Sequence, residues 1–231
     1  MKTISSLLSV TLLLFLISCA SNETANSDAV KQSEIYQSYT VTYDEGDMEL
    51  TATAFFRFGG ATGTTLNLVK PSCVTFNGTK MDAGSNVFSG TFYETNQQVP
   101  PSKSYNFVFA DCDNKTYSNA VSLYPFKLDD CPAVIKRTEG FKLNWTGAPI
   151  QQDERVEVTM EGAEKSFCNI TTYAEGANSI DITTDKLKDM KSGDATIDVK
   201  RIASTSLKEA THLGGSLTVT YVAKRVSVKI E

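Results

Sequence analysis

Apolar and polar residues alternate along most of this chain with a period of two, the pattern of strands that bury one face. Tyr39, Val41 and Tyr43 alternate with threonines, and after a turn the pattern continues from residue 50 to residue 56. Further strands are predicted at 64–69, 74–76 and 87–93. A hairpin follows over residues 105–123, with its turn at 111–115.

The second half of the chain shows the same alternation. Its predicted strands centre on residues 141–145, 156–160, 180–182, 195–199, 217–221 and 226–230. Only residues 183–193 favour a helix, of one or two turns. Short strands that recur about every 8 to 12 residues with turns between them predict an all-β protein built from sandwiches.

The alternation breaks at residues 125–133, PFKLDDCPA, where two acids, a cysteine and a proline interrupt it. We place a domain boundary there, which predicts an N-terminal sandwich at 33–130 and a C-terminal sandwich at 131–231. Each half is about 100 residues long, a common domain size that can bury its own core.

Two loop-to-strand segments, PPSKSYNFVF and LKDMKSGDATIDV, resemble the entry to strand F of immunoglobulin-like and fibronectin-type-III-like domains. The resemblance implies tandem immunoglobulin-like sandwiches, with Tyr105 at the position of a corner tyrosine and Trp145 in the core. No tyrosine occurs in the second segment, where the match is weaker. Sandwiches host many functions, so this resemblance implies no activity.

The N-terminus carries a targeting pattern, in which Lys2 precedes an apolar run that ends at residue 17. The residues Leu16-Ile17-Ser18-Cys19 resemble the lipobox of bacterial lipoproteins. The resemblance implies a signal peptide at 1–18 and a diacylglyceryl thioether on Cys19. It also implies the outer membrane as location, since Ala20 rather than an aspartate follows the cysteine. An ordinary secretory signal is the alternative, and residues 19–32 are predicted to form a flexible tether.

Composition limits the classes of partner. The net charge is −5 and no basic stripe is present, which argues against nucleic acid and against docking on anionic lipid headgroups. An apolar content of 41% is ordinary for a folded protein, so we expect little disorder outside the tether.

No motif points to catalysis, to a cofactor or to a metal. His212 is the only histidine and lacks the surroundings of a nucleophile or zinc site. FGGATGTT, residues 58–65, resembles a phosphate loop only in its glycines, and a turn is the preferred interpretation. The carboxylates of DCDNK, residues 111–115, could attract calcium but are also good turn formers, and Asp129 and Asp130 are interpreted as solvated.

Four cysteines remain after Cys19: Cys73, Cys112, Cys131 and Cys168. Cys112 and Cys131 should lie at opposite ends of the return strand of the hairpin, about 30 Å apart, which excludes a bond between them. Two other pairings stay open, Cys73–Cys112 with Cys131–Cys168 and Cys73–Cys131 with Cys112–Cys168. Free or only partly paired thiols are the third possibility and the one we favour.

These features favour a non-catalytic binding or assembly module, anchored to the membrane, whose partner is an envelope protein or a glycan. One rival is a carbohydrate-binding lipoprotein of a glycan-uptake system, which needs exposed aromatics; the candidates are Tyr36, Tyr93, Tyr117 and Tyr173. The other rival is an envelope enzyme with carboxylates converging in a cleft between the domains.

Overall fold

The computed structural model describes residues 23–231, so the signal peptide, Cys19 and the first part of the expected tether lie outside the described residues. In the N-terminal half the strands are Thr24–Asn26 (β1), Ile35–Asp44 (β2), Glu49–Phe58 (β3), Thr64–Asn67 (β4), Cys73–Phe76 (β5), Thr79–Lys80 (β6), Asp82–Asn86 (β7), Gly90–Gln98 (β8), Ser104–Ala110 (β9) and Thr116–Ser122 (β10). Short 3₁₀ turns occupy Ser27–Ala29 and Gln32–Glu34.

The C-terminal half has the strands Phe126–Leu128 (β11), Val134–Ile135 (β12), Phe141–Gly147 (β13), Glu154–Glu161 (β14), Phe167–Thr172 (β15), Ser179–Ile182 (β16), Gly193–Ser206 (β17), Gly215–Val222 (β18) and Val226–Ile230 (β19). A 3₁₀ turn lies at Ala163–Lys165, and the one α-helical turn in the described chain is Thr184–Leu187 (α1). The predicted all-β sandwich fold is confirmed. The predicted strand at 87–93 starts only at Gly90, because residues 87–89 form the tip of the β7–β8 hairpin.

Each half is a two-layer sandwich. In the N-terminal half, inward-facing aromatics of β2 and β3 meet those of β9 in the opposing sheet β10-β9-β5-β6. Tyr39 stacks on Phe107 with centroids 4.5 Å apart, and Phe56 lies 4.4 Å from Phe109. Tyr105 is buried and its hydroxyl accepts a hydrogen bond from the backbone N–H of Ser102, as a corner tyrosine does.

One 12-stranded sheet runs through both sandwiches. Its junction is the parallel pairing of β2 with β18, in register from Gln37↔Gly215 to Asp44↔Val222. The two cores also meet there: Tyr43 stacks on Tyr221 at 5.6 Å, and Tyr221 lies 5.4 Å from Phe126. Sheet hydrogen bonds and aromatic packing therefore connect the two halves.

Two features of the structure bear on the predicted domain boundaries, which stay predictions. Strand β11 pairs with β13, so residues 126–128 belong to a sheet of the C-terminal half. The described part of the expected tether, residues 23–32, is packed against the fold. Strand β1 pairs with β4, and the buried Gln32 donates to the carbonyl of Ser27 and accepts from the N–H of Cys112. These polar side chains hold the segment through hydrogen bonds, which a search for apolar periodicity does not detect.

Candidate functional site

The outer face of the large sheet carries a group of aromatic residues in the N-terminal sandwich. Strand β3 buries Leu50, Ala52, Ala54 and Phe56, so strict alternation turns Phe55 and Arg57 outward. Tyr36 of β2 lies opposite Arg57, and Phe92 of β8 contacts Phe55. We name Tyr36, Phe55, Arg57 and Phe92 the outer-face patch. All four are half-buried, so the patch presents ring surface to solvent.

Contacts within the outer-face patch fix its rings in place. The centroids of Phe55 and Phe92 are 5.9 Å apart at 42°, and the guanidinium carbon of Arg57 lies 5.5 Å from the Phe55 centroid. Arg57 also donates to the carbonyl of Gly63 at 3.2 Å. A Cβ at Gly84 would come within 2.7 Å of the Phe92 ring, so the end of the ring occupies the space that a side chain at this position would need. The result is a preformed aromatic surface with a cation at its edge.

Polar side chains border the outer-face patch along β3 and β8. The Thr53 hydroxyl donates to one oxygen of Glu94 at 3.4 Å, and the amide of Asn96 donates to the other at 3.2 Å. Asn96 is exposed and Glu94 is half-buried. Hydrogen-bond donors and acceptors therefore stand beside exposed aromatic surface, which is the composition of an open ligand platform.

The tip of the β7–β8 hairpin adds further apolar surface to this sandwich. Phe88 is 88% exposed and Val87 is 74% exposed, the highest values among the large hydrophobic side chains that the structure describes. Asn86 shapes the turn by accepting from the N–H groups of Phe88 and Ser89 at 3.0 and 2.7 Å. Only large contiguous apolar patches mark contact surfaces, so two side chains at one hairpin tip are assigned no role.

The structure separates the four aromatics predicted as candidates. Tyr93 and Tyr117 are buried, and the Tyr93 hydroxyl accepts a hydrogen bond from the N–H of Leu68 at 2.6 Å. Tyr36 belongs to the outer-face patch, whereas Tyr173 is 70% exposed beyond β15 in the other sandwich. The prediction missed Phe55 and Phe92. The sequence could have indicated Phe55, because it lies on the same face of β3 as the polar residues Thr51, Thr53 and Arg57.

The other sequence candidates occupy turns. His212 is exposed in the turn before β18, and residues 59–63 form the turn between β3 and β4. Asp111 is buried, and one of its oxygens accepts from the N–H groups of Asp113 and Lys115 at 2.9 and 2.8 Å, so it shapes the hairpin turn. Asp129 and Asp130 are exposed. Within residues 23–231 no cluster of three or more His, Cys, Asp or Glu side chains could hold a metal ion.

A charged groove lies where the two sandwiches join, at the end of β2 and β18. Its volume is about 570 Å³, and the carboxylates that line it are Asp44, Asp47, Glu161 and Asp198. Asp198 pairs with Arg225 at 2.7 Å, and Asp44 accepts the N–H of Gly46 at 2.8 Å. These two carboxylates therefore have structural partners. The groove also contains Lys200 and Arg225, so its carboxylates stand among cations and no catalytic pair is assigned to it.

The C-terminal sandwich contains a buried ion pair that the sequence pattern did not predict. Arg201 and Glu154 are 3% and 4% exposed at their side chains, and their charged atoms are 2.5 Å apart. Arg201 also donates to the carbonyls of Ala148 and Pro149 at 2.6 and 2.8 Å. The sequence could have indicated this burial, because Arg201 lies an even number of residues from the buried Ala195, Ile197 and Val199 and so faces the same side of β17. With no solvent access, the pair has a structural role.

The four cysteines of the described chain are free thiols. Cys112 lies at the hairpin turn, with its sulfur 3.4 Å from the Ser27 hydroxyl. Burial raises the pKa of the Cys131 and Cys168 thiols above the ordinary value. Both are therefore poorer nucleophiles than an exposed thiol at neutral pH.

No protein-family model and no curated protein matches the chain. Among solved structures, it is similar to a tetra-tandem repeat in the extending region of a large adhesion protein, with 11% identity and a TM-score of 0.25. A second is from a 1.5-MDa bacterial ice-binding adhesin, with 10% identity and a TM-score of 0.23. A third is SGBP-B of the Bacteroides ovatus mixed-linkage glucan utilization locus, in complex with a mixed-linkage heptasaccharide, with 10% identity and a TM-score of 0.20.

These alignments cover 84%, 85% and 79% of this chain. The chain spans about half the length of the first structure, at 49%, and 64% and 52% of the other two. Scores this low carry no information about what this chain binds.

Proposed function

We propose that the protein is a non-catalytic binding module of the bacterial envelope, held at the outer membrane by a lipid on Cys19, and that its ligand is a glycan. The observation that carries the proposal is the outer-face patch, a group of half-buried rings on the solvent side of the sheet, beside Arg57, Glu94 and Asn96. A structural role alone does not require aromatic rings on a solvated sheet face, where threonine serves equally well.

The chemistry of a sugar matches this surface. A pyranose ring presents a face of C–H groups, which packs on an aromatic ring, and a rim of hydroxyl groups, which need hydrogen-bond donors and acceptors. Arg57 supplies donors, Glu94 supplies an acceptor, and Asn96 supplies both. Because the patch is an open face rather than an enclosed pocket, it suits an internal stretch of a polysaccharide.

The experiment is a binding screen of the purified full chain against neutral and acidic polysaccharides by affinity electrophoresis, followed by titration calorimetry of those that bind. Tyr36→Ala and Phe92→Ala should each weaken binding by about tenfold, which corresponds to ~1.4 kcal/mol. Tyr124→Ala removes a ring that is 43% exposed beside Arg201 of the other sandwich and serves as the matched control, with unchanged affinity. Binding of no polysaccharide, or equal affinity of all three variants, would remove the basis of the proposal.

The membrane anchor is a second part of the proposal and has its own test. Within residues 23–231 no helix is apolar and long enough to span a bilayer. We expect attachment through the acylated Cys19, since several acyl chains give a stable anchor. Cys19→Ser should yield an uncleaved, unacylated precursor, visible by mass spectrometry of the full chain and by loss of lipid from the detergent phase. A Cys19→Ser protein that still has the mature mass plus lipid would contradict it.

A further inference from the structure

The large sheet ends in the C-terminal sandwich at β15, which pairs with β14 on one side only. The N–H of Gly162 donates to the carbonyl of Ser166 at 2.8 Å, which fixes the phase of the hydrogen bonds between the two strands. In antiparallel pairing, every second residue of β15 then directs its backbone N–H and C=O groups at β14. The N–H and C=O groups of the residues between them point to the open edge; these residues are Phe167, Asn169 and Thr171.

Strand β15 lacks the residues that usually protect such an edge; the turn α1 packs near it, and no strand pairs with its second side within residues 23–231. Natural edge strands carry lysine or proline, bulge, or lie under a loop. Another long edge of this fold, that of β10, is covered: its Ser118 N–H donates to Glu209, and the Asn119 side chain accepts from the N–H of Lys208. Residues 166–173, SFCNITTY, contain neither charge nor proline, and both Phe167 and Tyr173 are 70% exposed.

We propose that this edge pairs with the same edge of a second copy of the chain, so that the protein is a dimer with one continuous sheet. The segment is self-complementary when two copies run antiparallel about Ile170. Phe167 then lies opposite Tyr173 of the second copy, and Asn169 lies opposite Thr171. The same register brings the turn that carries Lys165 toward the turn that carries Glu175 of the second copy. Aromatic pairs at both ends and opposite charges beyond them are favourable cross-strand neighbours.

A second copy fits this edge better than an unrelated strand because no other register gives these pairs. A shift by one step, two residues, places Asn169 opposite itself and Phe167 opposite Thr171. The opposite shift places Thr171 opposite itself and Asn169 opposite Tyr173. The two-fold axis of such a dimer stands perpendicular to the sheet, so both outer faces point the same way. The dimer would hold two copies of any ligand surface on that face, which favours repetitive ligands.

The test measures the association of the purified full chain by sedimentation velocity in mild detergent, at several detergent concentrations so that shared micelles are recognised. Wild type should dimerise. Asn169→Lys with Thr171→Lys places like charges opposite each other in the dimer, and these exposed edge positions tolerate lysine in the monomer. This double variant should dissociate at least about 100-fold more readily.

The matched variant keeps Thr171→Lys and combines it with Asn169→Glu, which creates two opposite-charge pairs in the proposed register. It should dimerise like wild type, and thermal melts should show all three proteins equally folded. In either shifted register this variant sets like charges opposite each other, so a monomeric result would overturn the register and the proposal. So would a dimeric Lys/Lys variant, or a wild type that stays monomeric up to about 0.1 mM. None of these outcomes depends on glycan binding.

Discussion

Replacement of Arg201 by methionine tests the energetic account of the C-terminal sandwich, because this residue holds several buried groups at once. The substitution keeps the volume of the side chain but removes its charge. It leaves the Glu154 carboxylate, 4% exposed, without its cation, and the carbonyls of Ala148 and Pro149 without their donor. The backbone N–H of Gln151, at 2.8 Å, remains the hydrogen-bond partner of that carboxylate.

The magnitude follows from this burial. Removing one partner of a buried ion pair typically costs about 3–5 kcal/mol. For a protein of this size each kcal/mol lowers the melting temperature by about 2–4 °C, so the expected drop is roughly 6–20 °C. Urea unfolding followed by circular dichroism gives the free energy. The double variant Arg201→Met with Glu154→Leu also removes the unpaired carboxylate, so it should recover part of the lost free energy of unfolding. The part lost because the carbonyls of Ala148 and Pro149 have no donor should remain.

The control is Arg225→Met, which breaks the pair with Asp198 at a side chain that is 61% exposed. An exposed pair contributes about 0–1 kcal/mol, so this variant should melt close to wild type. The reasoning is refuted if Arg201→Met loses less than Arg225→Met, or if the double variant is no more stable than Arg201→Met alone.

Three further predictions concern stability. Trp145 is 1% exposed, so Trp145→Ala should cost about 3–5 kcal/mol in urea unfolding. Its indole N–H has no hydrogen-bond partner within residues 23–231, so Trp145→Phe should cost clearly less, and equal losses would contradict this. Burial raises the pKa of Tyr39, so above pH ~10 the unfolded chain ionises this phenol while the folded state keeps it neutral. The melting temperature should therefore fall as the pH rises above about 10, and it should fall less steeply in Tyr39→Phe. Fragments 23–125 and 126–231 should each fold but melt below the whole chain, since the cut loses the β2–β18 pairing; unchanged melting would show that the junction contributes nothing.

Much of the fold was predictable because period-two alternation reports directly which side chains face a core. Tyr39, Val41 and Tyr43 are buried as their phase predicts, and so is Trp145. The helical pattern at 183–193 corresponds to the single turn α1. The tyrosine at 105 makes the hydrogen bond to Ser102 expected of a corner residue.

The remaining features depend on contacts between distant residues, which local patterns do not encode. The pairing of Gln37 with Gly215 joins residues from opposite ends of the chain, and the sequence of neither strand indicates which strand it will pair with. Residues 24–32 carry little apolar periodicity, yet the Ser27 hydroxyl accepts from the N–H of Val69 and the Gln32 side chain accepts from the N–H of Cys112, and these bonds hold the segment to the fold. For the candidate site, the phase of Phe55 placed it outward, but its approach to Phe92 required knowing that β3 pairs with β8.

The most direct test of the account locates a bound glycan on the full chain by NMR, with selectively labelled phenylalanine and tyrosine and a polysaccharide found in the binding screen. The proposal predicts that titration shifts the ring signals of Tyr36, Phe55 and Phe92 and leaves those of Tyr173 and Phe167 unchanged. Shifts confined to Tyr173 and Phe167, or to residues around the charged groove at Asp198, would contradict the assignment of the outer-face patch as the glycan-binding surface.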